Sequence, residues 1–82
     1  MGKVSVRFFA RYAELAGCTS SHVNVEAPAT VGDVIARVRE MFPGTKDLPA
    51  RPLAALNQRQ VQLDATVNDG DEVALLPPLA GG

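Results

Sequence analysis

At 82 residues the chain has room for one domain, because cutting a second core from it would leave pieces too small to fold unaided. A hydrophobic fraction of 46% against 21% charged residues is ordinary globular composition and argues against a disordered polymer. Eight Lys and Arg against nine Asp and Glu leave a net charge of −1 with no long run of either sign, so no nucleic-acid partner is expected.

Lys3 to Phe9 alternates, with Val4, Val6 and Phe8 on one side and Ser5, Arg7 and Phe9 on the other. This is the period of a half-buried strand, and it leaves Phe9 as the odd apolar member of a polar face. Arg11 to Ala16 predicts a short helix closed by Gly17, whose missing Cβ suits the left-handed position after a last turn. Ser21 to Val25 reads as a second strand with Val23 and Val25 inward, ended by Pro28. Thr30 is a good N-cap, and Asp33 three residues on completes a capping-box pair. The helix that follows carries Val31, Val34, Ile35, Val38, Met41 and Phe42 on one face and Arg37, Arg39 and Glu40 on the rest. Pro43-Gly44 stops it, and Thr45 to Pro52 reads as an irregular connection. Leu53 to Leu56 is a short apolar run, turned by Asn57-Gln58-Arg59 into a brief strand around Gln60 to Leu63. Asn68-Asp69-Gly70-Asp71 is a strong turn, since these residues tolerate positive φ. Glu72 to Leu76 is the last strand, with Val73 and Leu75 inward and Ala74 and Leu76 outward, and Pro77-Pro78 ends its ladder by removing two donors. Two strands, a helix, then two or three strands give an α+β chain, and the order suits a β-grasp sheet without excluding another small α+β roll.

The residues narrow this. Phe8 to Gly17 (FFARYAELAG), Asn57-Gln58, Val61 to Asp64 (VQLD) and Asn68 to Gly82 (NDGDEVALLPPLAGG) together resemble the MoaD/ThiS sulfur-carrier family, and within it the molybdopterin synthase small-subunit branch. The resemblance runs over nearly the whole chain and is most specific at the end, where DGDEV, two bulky apolar residues, Pro-Pro and Gly-Gly stand at family spacing. Two departures are visible. Many relatives carry Arg where Ala13 stands, and some carry Phe-Phe where Leu75-Leu76 stand.

The resemblance implies a ubiquitin-like β-grasp fold, a mixed sheet packed on one main helix, over residues 1–76. Residues 77–82 then form a flexible, extended Gly-Gly tail. It also implies that the working group is the carboxylate of Gly82. An adenylating partner of the E1-like MoeB type would activate that carboxylate with ATP, and sulfur would then convert it to a thiocarboxylate. As the small subunit of molybdopterin synthase, in a heterotetramer with two large subunits of MoaE type, the carrier would pass sulfur to precursor Z. No side chain of the domain need act as acid or base, so catalytic groups are expected on the partners, and no tightly bound cofactor is expected. Gly81 and Gly82 suit a narrow channel because neither carries a Cβ. The six residues from Pro77 through Pro78, Leu79 and Ala80 to Gly82 span roughly 20 Å if extended, and the prolines stiffen the base of that arm toward a partner. A thiazole-pathway carrier and a protein modifier conjugated through Gly82 are the alternatives.

Phe9 and Leu76 both fall on the outward face by alternation, and in a β-grasp their strands run parallel side by side. They are expected to form a docking patch at the root of the tail. The other placement for Phe9 is under the first helix, as core. Other chemistry finds little support. Asp69, Asp71 and Glu72 lack the ligands and spacing of a full calcium loop, His22 has no second His nearby, and no metal site is expected. Cys18, the single cysteine, excludes an internal disulfide and fits a reducing cytoplasm. Arg11, Arg39 and Arg59 are most simply solvated. No apolar run approaches the ~20 residues of a membrane helix, and the first residues carry no leader pattern, so a soluble cytoplasmic protein is expected.

Overall fold

The computed structural model describes residues 2–77. Strand β1 (Gly2–Phe8) is followed by helix α1 (Arg11–Ala16), strand β2 (Ser20–Val25), a two-residue strand β3 (Ala29–Thr30) and helix α2 (Val31–Met41). A 3-10 turn (Pro43–Asp47) leads to β4 (Leu53–Leu56), β5 (Arg59–Val61), a second two-residue strand β6 (Thr66–Val67) and β7 (Glu72–Leu76). The main sheet has the order β2-β1-β7-β4-β5, and β3 pairs with β6 in a small second sheet. β1 and β7 run parallel at its centre, while β2, β4 and β5 pair antiparallel with their neighbours, so the sheet is mixed. This is a β-grasp, as the order of elements and the family resemblance implied.

Alternation explains which face is covered. Val4, Val6 and Phe8 of β1 and Val73 and Leu75 of β7 are buried, with Val31, Val34, Ile35 and Val38 of α2 in the same core cluster. Phe8 meets Phe42 edge-on, with ring centroids 5.6 Å apart and planes at 73°. The capping box forms as expected: Asp33 N donates to Thr30 Oγ1 at 3.2 Å and Thr30 N donates to Asp33 Oδ2 at 2.9 Å. The first free amides of α2 find further acceptors, Val31 N on Ala65 O and Gly32 N on Leu63 O, at 2.9 and 2.8 Å. Gly17 stands at φ 80 and donates its N–H to Ala13 O, closing α1.

Several expectations change in detail. The first strand ends at Phe8 rather than Phe9, and the brief strand covers Arg59–Val61 rather than Gln60 to Leu63. Met41 lies on the predicted apolar face but is 43% exposed, as the C-terminal residue of α2. Pro43-Gly44 does not open an irregular connection: the chain re-forms as a 3-10 turn that packs on α1. Gly44 permits that contact, since a Cβ there would overlap the Leu15 carbonyl oxygen and lie 3.1 Å from its carbon. Arg39 is not simply solvated. Its guanidinium is part-buried and donates to the carbonyls of Thr45, Leu48 and Pro49, tying α2 to the segment that leads into β4.

Candidate functional site

The parallel pairing of β1 with β7 brings their C-terminal ends to one end of the sheet, with Phe8 opposite Leu75. Because β4 is antiparallel to β7, its first residue arrives at the same end, with Leu53 opposite Leu76. Phe8, Ala54 and Leu75 point into the core, so the period of two sends Leu53 and Leu76 to the other, helix-free face. Phe9 follows Phe8 directly and is 37% exposed, which settles its placement outside the core; Leu53 is 40% exposed and Leu76 half-buried. In the next row Arg7 stands opposite Ala74, Ala74 opposite Ala55, and Ala55 opposite Gln60. Ala74 and Ala55 are small residues between strands and are buried although they face outward.

This end of the sheet therefore carries three large apolar residues, Phe9, Leu53 and Leu76, around a floor of alanines. Sequence reasoning missed Leu53. It lies in a run of four apolar residues, Leu53 to Leu56, whose facing only the register against β7 decides. Pro77 is the last described residue and leaves the sheet beside this patch. Pro78, Leu79, Ala80, Gly81 and Gly82, named from the sequence as tail and working end, lie outside the described residues.

The turn after Phe9 is sharp. Ala10 stands at φ 51 and ψ −126, and Tyr12 N donates to Phe9 O at 2.9 Å, the geometry of a turn that ordinarily places glycine at that position. Arg7 lies across the Phe9 ring, with Cζ 5.2 Å from the centroid.

At the opposite end of β7, the motif residues Asn57 and Asn68 to Asp71 are bound to one another. Asn57 and Gln58 take positive φ, 51 and 72, in the two-residue turn joining β4 to β5. From there Asn57 Nδ2 donates to Asp71 Oδ1 at 3.1 Å and Asn57 Oδ1 accepts from Glu72 N at 3.0 Å. Asp71 Oδ2 accepts from Asn68 N at 2.8 Å, and Asp69 Oδ1 from Lys3 N at 2.8 Å. The Asn57 amide beside it, then the Asn68 N–H, hold the Asp71 carboxyl below its ordinary value. These bonds tie the start of β7 to the β4–β5 turn and to β1. Among the described residues no group of three or more His, Cys, Asp or Glu gathers to hold a metal ion. His22 is exposed on the edge strand β2, Cys18 is a half-buried free thiol, and Arg11 and Arg59 are exposed. Within the described residues no helix is long and apolar enough to cross a membrane.

Comparison with known proteins agrees with this geometry. A molybdopterin synthase sulfur carrier subunit of Mycobacterium tuberculosis is 34% identical over 83 residues, covering 100% of each chain. The crystal structure of SAMP1 from Haloferax volcanii superposes with a TM-score of 0.88 at 30% identity, over 99% of this chain and 100% of that one. A protein-protein complex of subunits 1 and 2 of molybdopterin-converting factor from Helicobacter pylori contains a chain that matches with a TM-score of 0.69 at 26% identity, over 98% of this chain and 99% of that one. A profile described as the ThiS family matches residues 6–82. The chain therefore belongs to the ThiS family, and it is similar over its whole length to molybdopterin synthase sulfur carrier subunits.

Proposed function

We propose that this protein is the sulfur-carrying small subunit of a molybdopterin synthase, and that Gly82 is its working residue. The observation that carries the reading is the full-length match to a curated sulfur carrier subunit of that enzyme, with the Gly-Gly end inside the matched family region. The Gly82 carboxylate attacks the α-phosphate of ATP in the site of an E1-like activating enzyme of MoeB type, and pyrophosphate leaves. Hydrosulfide delivered by the sulfur source then attacks the acyl carbon, AMP leaves and the sulfur's proton goes to solvent, which yields the thiocarboxylate. The carrier donates that sulfur to precursor Z in the site of a MoaE-type large subunit, and hydrolysis of the acyl group returns the carboxylate. Two small and two large subunits form the working heterotetramer, in the cytoplasm.

The apolar patch of Phe9, Leu53 and Leu76 gives the carrier a surface to dock by, next to the point where the tail leaves. A patch of this kind on one end of a sheet suits a partner that must grip the body while the tail enters its site. The carrier itself contributes a substrate group, and the acids and bases of the reaction belong to its partners.

A protein modifier conjugated through Gly82 is the second reading, favoured by the superposition on small archaeal modifier protein 1 of Haloferax volcanii. Incubation with an activating enzyme, ATP, a sulfur source and precursor Z separates the two. Molybdopterin formed with the large subunit present supports the carrier reading, whereas conjugates on target lysines without molybdopterin support the modifier. Rescue of a thiamine auxotroph rather than a molybdoenzyme-deficient strain would instead assign the thiazole pathway.

A further inference from the structure

Beside Phe9 lies a hollow of about 310 Å³, lined by Arg7, Phe9, Ala10, Ala13, Thr19 and Ser20 together with Phe8. It sits at the low end of the ~300–1,000 Å³ typical of small-molecule sites and is open on one side, so it matches one inserted side chain better than an enclosed ligand. Its lining divides into two parts. Phe8, Phe9, Ala10 and Ala13 offer an apolar wall, and the small side chains at 10 and 13 are what leave it open. The polar side chains are Arg7, Thr19 and Ser20, all able to donate hydrogen bonds, and none is acidic. Arg7 also lacks an anionic partner among the described residues, where the ion pair formed is Arg37 with Glu40.

We infer that this hollow receives a glutamate or aspartate side chain of the synthase large subunit, its methylene stem against Phe9 and Ala13 and its carboxylate on Arg7, Thr19 and Ser20. The inference rests on the docking role proposed above and adds the partner chemistry and the position that selects it. With Cζ over the Phe9 ring, the Arg7 guanidinium makes no hydrogen bond or ion pair among the described residues, so its N–H groups can take a carboxylate, which a planar cation suits better than an ammonium does. The rim is also preset. Ala10 holds a backbone conformation that costs an L-residue free energy, and such outliers gather where geometry must be fixed before a partner arrives.

Titration calorimetry of the carrier against its cognate large subunit, at low and high salt, tests this. Arg7→Glu is expected to weaken binding about tenfold or more, and Arg7→Gln about threefold with most of the salt dependence lost, as for a charge at the rim of an interface. Ala13→Leu, which fills the hollow with a good helix former, is expected to weaken binding about tenfold. Circular dichroism checks that each variant keeps its fold. Wild-type affinity in both Arg7→Glu and Ala13→Leu would overturn the inference while leaving the synthase reading intact, whereas failure of the wild-type carrier to bind would sink that reading first. The other occupant is the carrier's own terminal carboxylate. Deleting Gly81-Gly82 from the free protein should leave the Arg7 Nε and Phe9 ring resonances unchanged, and a shift in both would overturn the assignment to the partner.

Discussion

Replacing Phe9 with alanine removes the most exposed ring on the proposed docking face. A phenylalanine carries about 200 Å² of surface. With 37% of Phe9 exposed in the free chain, about 75 Å² remains for a partner to cover, or ~2 kcal/mol at ~25 cal/mol per Å². The predicted cost is a rise of about 20-fold in Kd for the large subunit, an upper value because association also orders the side chain. The covered part of the ring sets a limit of about 3 kcal/mol on lost stability, which a domain of this length, at ~4–12 kcal/mol, withstands. Calorimetric titration well below the unfolding temperature reads the binding, and thermal unfolding reads the fold. Phe9→Leu, which keeps apolar area, should lose less than about fivefold by the same area accounting. Should the folded Phe9→Ala protein bind within about twofold of wild type, the patch would not be the docking surface.

Four further outcomes concern the fold that holds the patch in place. Gly44→Ala forces a Cβ into the Leu15 carbonyl, so it should cost about 2–3 kcal/mol and lower the unfolding midpoint by about 8–24 °C. Asparagine should be better tolerated at Gly17, where φ is the constraint and the space is open, than at Gly44, where space is the constraint. Arg39→Ala removes the donors to the Thr45, Leu48 and Pro49 carbonyls and is expected to cost about 1–2 kcal/mol in urea unfolding, with Arg39→Lys restoring only part. Asp71, whose folded pKa lies below its ordinary 3.8, binds its proton more readily in the unfolded chain. Its contribution is therefore full above that ordinary value and drains as pH falls through the lower, folded one. Asp71→Asn should flatten the loss of stability in that acid window, as measured by unfolding midpoints against pH.

Local chemistry made part of this fold readable and topology hid the rest. Thr30 with Asp33, and Gly17 after Ala16, are short-range signals whose partners lie within four residues, and both formed as read. The alternation of Glu72 to Leu76 fixed that strand to the residue. The pairs Ala29–Thr30 and Thr66–Val67 are too short to show a period, so their strands were invisible. Pro43-Gly44 signals a break, but whether the chain then re-coils depends on Leu15, far away in sequence, leaving room for it. Arg39 reads as a solvated cation because carbonyls six to ten residues on carry no sequence signature as acceptors. At the site, alternation was enough to place Leu76 outward, while Leu53 needed the pairing of β4 with β7. The terminal glycines are a different matter: their meaning came from family resemblance, and no side-chain geometry of the domain would have revealed it.

The proposed chemistry turns on the Gly82 carboxylate. Intact-mass measurement of the carrier after incubation with an activating enzyme, ATP and a sulfur source reads its state. An oxygen-to-sulfur mass increment is expected, which fragmentation places on Gly82 and which is lost on adding the large subunit with precursor Z as molybdopterin forms. An unmodified C-terminus under conditions that load a known carrier, or sulfur located on Cys18 instead, would contradict it.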